Sequence, residues 1–175
     1  AVRQLRNACG VLEEAHARMR AASLRFSTLG TSRHRVAHAL YLRQGYEDVV
    51  ASVSALAPRE RALCETRLRA ERAGSGRLPL ADDLFRRVAA GRLGFARRHA
   101  PFISARVAVG DVDVNEVWLL LAGGELVGYA LAKVSESVLT VSDLLLVDGL
   151  EAAAAAGALV RQTDALYLQV NINRP

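Results

Sequence analysis

Residues 117–134 restrict what this chain can fold into more than any other stretch. Val117-Trp118-Leu119-Leu120-Leu121-Ala122 is an unbroken apolar run, and a second run at 126–134 follows Gly123-Gly124. A favoured two-residue hairpin turn needs positive φ at both central positions, which glycine reaches without strain. The segment therefore predicts two antiparallel strands. Residues 138–147 read as a further strand, and 165–172 alternate Leu166, Leu168, Val170 and Ile172 with polar positions, so they read as a last one. Upstream, 103–109 alternates and predicts a strand, followed by a turn over 111–115. The alanine run at 152–158 predicts a helix that Gly157 weakens.

Towards the start of the chain the periodicity switches. Ala8, Val11, Leu12, Ala15 and Met19 lie at three- and four-residue spacing, which predicts a helix over 8–20. A strand is expected at 24–29, and Gly30-Thr31-Ser32 supplies a turn and an N-cap for a helix over 33–43. Gly45 suits the left-handed position that ends it. Residues 48–56 are valine-rich and strand-like, so helix, strand, helix and strand succeed one another in an α/β order. Pro58 breaks the pattern, an arginine- and glutamate-rich helix is expected over 59–73, and Ala73-Gly74-Ser75-Gly76 reads as a linker. Helices over 80–90 and 92–99 follow, closed by Pro101.

With 175 residues, 51% hydrophobic and 23% charged, the chain can build the core of one domain or of two small or incomplete ones. Disordered and collagen-like classes are excluded, and two cysteines, Cys9 and Cys64, are too few for a disulfide scaffold. With no secretory leader, reduced thiols and a cytoplasmic setting are expected. No apolar run is long enough to span a membrane, because 144–160 is interrupted by Asp148 and Glu151. The net charge of +5 admits a nucleic-acid partner, but Lys133 is the only lysine and the arginines are scattered among glutamates. That mixture predicts solvated helix faces.

Two stretches carry chemistry. Val2-Arg3-Gln4-Leu5-Arg6-Asn7-Ala8-Cys9 reads as a short polar loop running into a helix N-terminus. Free backbone N–H groups and the helix dipole favour a phosphate or pyrophosphate there, and Arg3 and Arg6 would add charge-assisted bonds. The second stretch, 31–46, contains Ala37-His38-Ala39-Leu40-Tyr41 and ends in Gly45-Tyr46. In order and spacing the pair resembles the GNAT acyltransferase superfamily. That family has a pyrophosphate loop of pattern Gln/Arg-x-x-Gly-x-Gly/Ala opening one helix, and Ala-x-x-Leu-Tyr on the next.

The resemblance implies an α/β fold with a GNAT-like mixed, mainly antiparallel central sheet flanked by helices, and acetyl-CoA or another acyl-CoA as donor. It implies that Val2, Arg3, Gln4, Leu5, Arg6, Asn7, Ala8 and Cys9 hold the CoA pyrophosphate, chiefly through the N–H groups of Leu5 to Cys9, with His34 beside the cofactor. It makes Tyr41 the general acid for the departing thiolate, a task within reach of a phenol. Arg6 stands where the pattern has its first glycine, and His34 where the family often has asparagine.

Residues 103–172 resemble the other half of the same fold, but Asp148-Gly149-Leu150-Glu151 replaces the pyrophosphate loop, so no second cofactor site is expected. The order implies a tandem or permuted arrangement, and the helix and strand repeated at 150–172 favour the tandem form. The expected division is the C-terminal half of a GNAT-like domain at 1–58, a linker helix at 59–75, and the N-terminal part of a second, degenerate domain at 76–175. The ends, Ala1-Val2 and Pro175, are expected to be those of a fragment or processed chain.

The implied reaction is N-acyl transfer to a small-molecule or peptide amine, with backbone N–H groups of a splayed strand holding the tetrahedral oxyanion. Asp143, ahead of Glu125 and Glu136, is the candidate general base. The alternative is a catalytically inactive scaffold that binds a partner or forms a homodimer; a nucleic-acid-associated protein is a third. No metal set is expected, since His16, His34, His38 and His99 lack acids or cysteines at ligand spacing, and Cys9 lacks the histidine partner of a nucleophile.

Overall fold

The computed structural model of the chain describes residues 2–49, 51–90 and 101–174. They form two compact units, one up to Ala51 and one over Ser52–Arg174.

The second unit is built outward from the hairpin. Strands β3 (Val117–Ala122) and β4 (Glu125–Ser135) pair antiparallel, with Ala122 opposite Glu125, so that Gly123 and Gly124 alone make the turn, at φ 59° and 89°. A second two-residue turn, Glu136 and Ser137, joins β4 to β5 (Val138–Leu146). Helix α6 (Ala152–Arg161) then carries the chain over to β6 (Tyr167–Arg174), which pairs parallel with β5, the connection a parallel neighbour needs. Strand β2 (Leu68–Arg72) pairs antiparallel with β3, and β1 (Ala51–Pro58) lies beside β6, giving a six-stranded sheet of order β1-β6-β5-β4-β3-β2.

Both faces of the middle strands are covered. Val117 and Leu119 point with Tyr129 towards α4 (Leu78–Ala89) and α5 (Phe102–Ala108), while Trp118 and Leu120 point with Ala130 towards α6. Hence β3 needs four apolar residues in a row where a one-sided strand would alternate. Complete burial of a leucine contributes about 1.5–3 kcal/mol, and Leu119 and Leu120 are both fully buried. Helix α4 meets the sheet with Leu78, Ala81, Leu84, Phe85 and Val88, a stripe at helical spacing. Next to it, the buried Asp82 carboxylate accepts from the backbone N–H of Ile103 at 2.6 Å and from the Ser104 hydroxyl at 2.8 Å. It thereby caps α5 from a neighbouring helix.

Two sequence expectations give way here. The helix expected over 59–73 is a four-residue helix, α3 (Arg59–Ala62), followed by β2. Leu68 and Ala70 alternate with Arg69 and Glu71, a two-residue period that the surrounding charges concealed. The strand expected over 103–109 is α5, because Ile103 and Val107 also satisfy a helical period and Asp82 supplies the missing cap. Strand β1 belongs to the sheet of the second unit. The helix expected over 92–99 lies outside the described residues.

The first unit holds α1 (Val2–Ala21) and α2 (Val36–Arg43). After α1, the N–H of Leu24 returns to the Met19 carbonyl at 2.9 Å around Ser23, whose φ is 56°. The expected strand at 24–29 is irregular and pairs with no described strand; Leu24 and Phe26 are 59% and 82% exposed. Ser32 caps the turn ahead of α2, accepting from the His34 N–H at 3.3 Å, so the helix starts at Val36 and not at 33.

Two substitutions test this packing. A Cβ on Gly128 would lie 2.7 Å from the Leu145 carbonyl oxygen and 2.6 Å from Leu146 Cδ2, so Gly128→Ala is expected to lower stability by about 1–3 kcal/mol in urea unfolding. Asp82→Ala, which leaves the α5 N–H groups unpaired, is expected to cost about as much.

Candidate functional site

Helix α1 begins at Val2, so Val2 to Cys9 occupy its first turns and not a loop ahead of it. The run contains no glycine or proline, and arginine at position 6, where a loop would need glycine, favours helix. In that geometry the backbone N–H groups of Val2 to Gln4 lack intrahelical partners, whereas those of Arg6 to Cys9 are committed to the helix. This corrects the expected set of free donors, Leu5 to Cys9. No acidic residue lies in the first turn of α1. Cys9 is a free, half-buried thiol.

His34 lies exposed in the turn before α2, and Tyr41 is half-buried on α2. The end of α2 decides what Tyr41 touches. Gly45, at φ 85°, lets its N–H reach the Leu42 carbonyl at 3.1 Å and the Tyr46 N–H reach the Tyr41 carbonyl at 3.1 Å. This paired closure folds residue 46 back over residue 41. Their rings meet edge to face with centroids 5.7 Å apart. The Tyr41 hydroxyl makes no hydrogen bond to another described side chain.

The polar hub of this unit is a residue that sequence reasoning had used only as the end of a motif. The Tyr46 hydroxyl lies 2.9 Å from His16 Nε2 and 2.7 Å from Ser27 Oγ, joining α1, the 24–29 segment and the end of α2. The Gly45-Tyr46 pair is the legible signal, since a glycine in the left-handed position returns the next side chain to the helix. Beside it, Asp48 accepts from His38 Nε2 at 3.0 Å and pairs with Arg33 Nε at 3.1 Å. The His38 hydrogen bond holds the Asp48 carboxyl below its ordinary 3.8; desolvation opposes it, and the charges of His38 and Arg33 lower it further.

In the second unit the feature of chemical interest is a bulge in β5. The pairing of β5 with β6 includes Val138 opposite Tyr167 through Val141 opposite Val170. On the β4 side, Leu131 is opposite Asp143 and Ala132 opposite Val141, which leaves Ser142 as the extra residue. Its hydroxyl donates to the Leu131 carbonyl at 3.2 Å. Leu139 and Val141 face α6, but after the bulge Leu145 faces α4 and α5, where the Tyr129 hydroxyl donates to Asp143 Oδ2 at 3.3 Å. Of the candidate bases, Asp143 is therefore beside the bulge, whereas Glu125 starts β4 at the glycine turn and Glu136 sits in the turn at the other end of the strand. Past β5, Glu151 occupies the N-cap of α6 without a side-chain cap bond, three residues after Asp148.

No described helix is long and apolar enough to cross a membrane. No protein-family model and no curated protein sequence matches the chain. Solved structures do. A GCN5-related N-acetyltransferase from Anabaena variabilis matches with TM-score 0.65 at 15% identity, over 95% of this chain and 43% of its own. A probable N-acyltransferase from Enterococcus faecalis matches with TM-score 0.55 at 10% identity, over 80% of this chain and 37% of its own. A GCN5-related N-acetyltransferase from Kribbella flavida matches with TM-score 0.51 at 17% identity, over 79% of this chain and 35% of its own. The fold is thus GNAT-like, and the chain spans about two-fifths of the length of these proteins.

The Asp48 cluster has a testable pH dependence. Because the folded pKa is the lower one, its stabilising contribution is fully present above the unfolded value of 3.8 and is lost as pH falls through the folded value. His38→Ala is expected to raise the NMR titration midpoint of the Asp48 carboxyl towards 3.8; an unchanged midpoint would remove His38 as the cause.

Proposed function

We propose that this chain is part of an N-acyltransferase that moves an acetyl or other acyl group from acyl-CoA to a small-molecule or peptide amine, in a cytoplasmic setting. The GNAT-like fold supports the class of chemistry, and fold alone does not assign a reaction. The observation that carries the reading is a contrast between two helix starts. Helix α1 opens with Arg3 and Arg6 in its sequence and no acid in its first turn, which fits a pyrophosphate; α6 opens behind Asp148 and Glu151, which does not. In this reading Val2, Arg3, Gln4, Leu5, Arg6, Asn7, Ala8 and Cys9 make up the pyrophosphate end, with the free N–H groups of its first turn, and His34 lies near the cofactor. Acyl-CoA, when bound, supplies the thioester carbonyl that an amine attacks. Tyr41 holds the transferable proton at its phenolic oxygen, and the Gly45 closure keeps its ring against Tyr46. The two units would be parts of two GNAT-like copies, the second without a CoA site of its own.

Binding without catalysis, including homodimer formation, is favoured by a different observation, the exposed apolar side chains of Leu24, Phe26, Val36 and Val49 in the first unit.

Thermal-shift titration with acetyl-CoA and free CoA separates the two. A ligand at 100 times its Kd stabilises by about 2.7 kcal/mol, a shift of several degrees. Acyl transfer predicts a saturable shift that Arg3→Glu with Arg6→Glu abolishes. Tyr41→Phe is expected to keep the shift while turnover across a panel of primary amines falls by about 100-fold or more. No shift in the intact chain would leave the binding scaffold.

A further inference from the structure

The second unit holds a cavity at the β2 edge of the sheet, beside the β3–β4 turn. Its volume is about 560 Å³, within the range that holds small organic ligands. The floor is aliphatic, formed by the half-buried Leu121 and Leu126 over the buried Leu119, and Leu80 of α4 flanks it with 43% of its surface exposed. The rim is cationic. Since β2 buries Leu68 and Ala70 on the α6 face, its alternation turns Arg67, Arg69 and Glu71 to the other face, with Arg69 opposite Leu121 and Glu71 opposite Leu119. Arg77, just ahead of α4, completes the rim.

The charges do not cancel. Glu71 takes both Arg77, at 2.9 Å, and Arg69, at 3.3 Å, and no described carboxylate pairs with Arg67. Three guanidinium groups against one carboxylate leave a net charge of +2 around a leucine floor. Gly123 and Gly124 close one side without side chains, and a Cβ at either would meet nothing within 4 Å, so the turn leaves the mouth open. A free phosphate would leave the leucines in water, and a neutral apolar molecule would leave the guanidinium groups without an anion.

We infer that this cavity binds an amphipathic anion, its apolar body on Leu80, Leu121 and Leu126 and its carboxylate or phosphate head between Arg67 and Arg77. The site uses no residue of the proposed acyl-transfer machinery, so either can fail without the other.

The test is titration of the isotope-labelled full chain with decanoate and decyl phosphate, with decanol and inorganic phosphate as controls, read at the Gly123 and Gly124 amides by NMR. Saturable shifts with either amphipathic anion, and roughly tenfold weaker binding of both controls, support the site, and the ratio of the two anions identifies the head group. Arg67→Glu, at an exposed side chain with no ion pair to lose, is expected to weaken binding about tenfold or more while thermal unfolding stays unchanged. No saturable shift, equal binding of decanol or inorganic phosphate, or undiminished binding by the Arg67→Glu variant would overturn it.

Discussion

Double-sided burial of the β3–β4 hairpin is the constraint on which the second unit depends. Four successive buried residues on β3 can be covered only if one layer of helix packs on each face. This requirement explains why α4 and α5 precede the hairpin and α6 follows it. It also explains why a charged stretch such as 68–72 becomes a strand. Leu68 and Ala70 extend the α6-side core by one more strand, and their charged neighbours line the other face.

Within that frame one extra residue has effects out of proportion to its size. Ser142 inverts the facing of β5, so that the same strand serves the α6 core with Val141 and the α4–α5 core with Leu145. The bulge lies beside Asp143 and Tyr129, whose side chains meet on the α4–α5 face. Bulges re-aim the side chains that follow them, and here the re-aimed strand leads to the acidic start of α6.

The first unit relies on chain reversals at helix ends. Ser23 and Gly45 both adopt the left-handed conformation, and each returns the chain onto the helix it has just left. Serine carries a Cβ penalty there that glycine escapes. The second reversal brings Tyr46 against Tyr41 and, through its hydroxyl, against His16 and Ser27. Two aromatic contacts and two hydrogen bonds of this unit therefore converge on Tyr46, whose position is decided by backbone geometry.

Local rules sufficed where one signal dominated. The Gly123-Gly124 turn, the strands on either side of it, the closure at Gly45 and the acidic residues Asp148 and Glu151 ahead of α6 were all legible in the sequence, because turn chemistry and charge act over a few residues. The ambiguous segments were those whose residues satisfy two periods at once. Residues 103–109 fit a strand or a helix, and the decision came from Asp82, distant in sequence, which supplies the cap of α5. Residues 68–72 were hidden among charges until β3 offered a partner, and the polar run before Cys9 became helix because nothing in it breaks one. The α/β class, the hairpin and the charge at each helix start follow from local sequence. The element type of the doubly periodic segments, the bulge at Ser142 and the arginine rim over Leu121 come from tertiary packing, because each depends on a partner that local propensity does not contain.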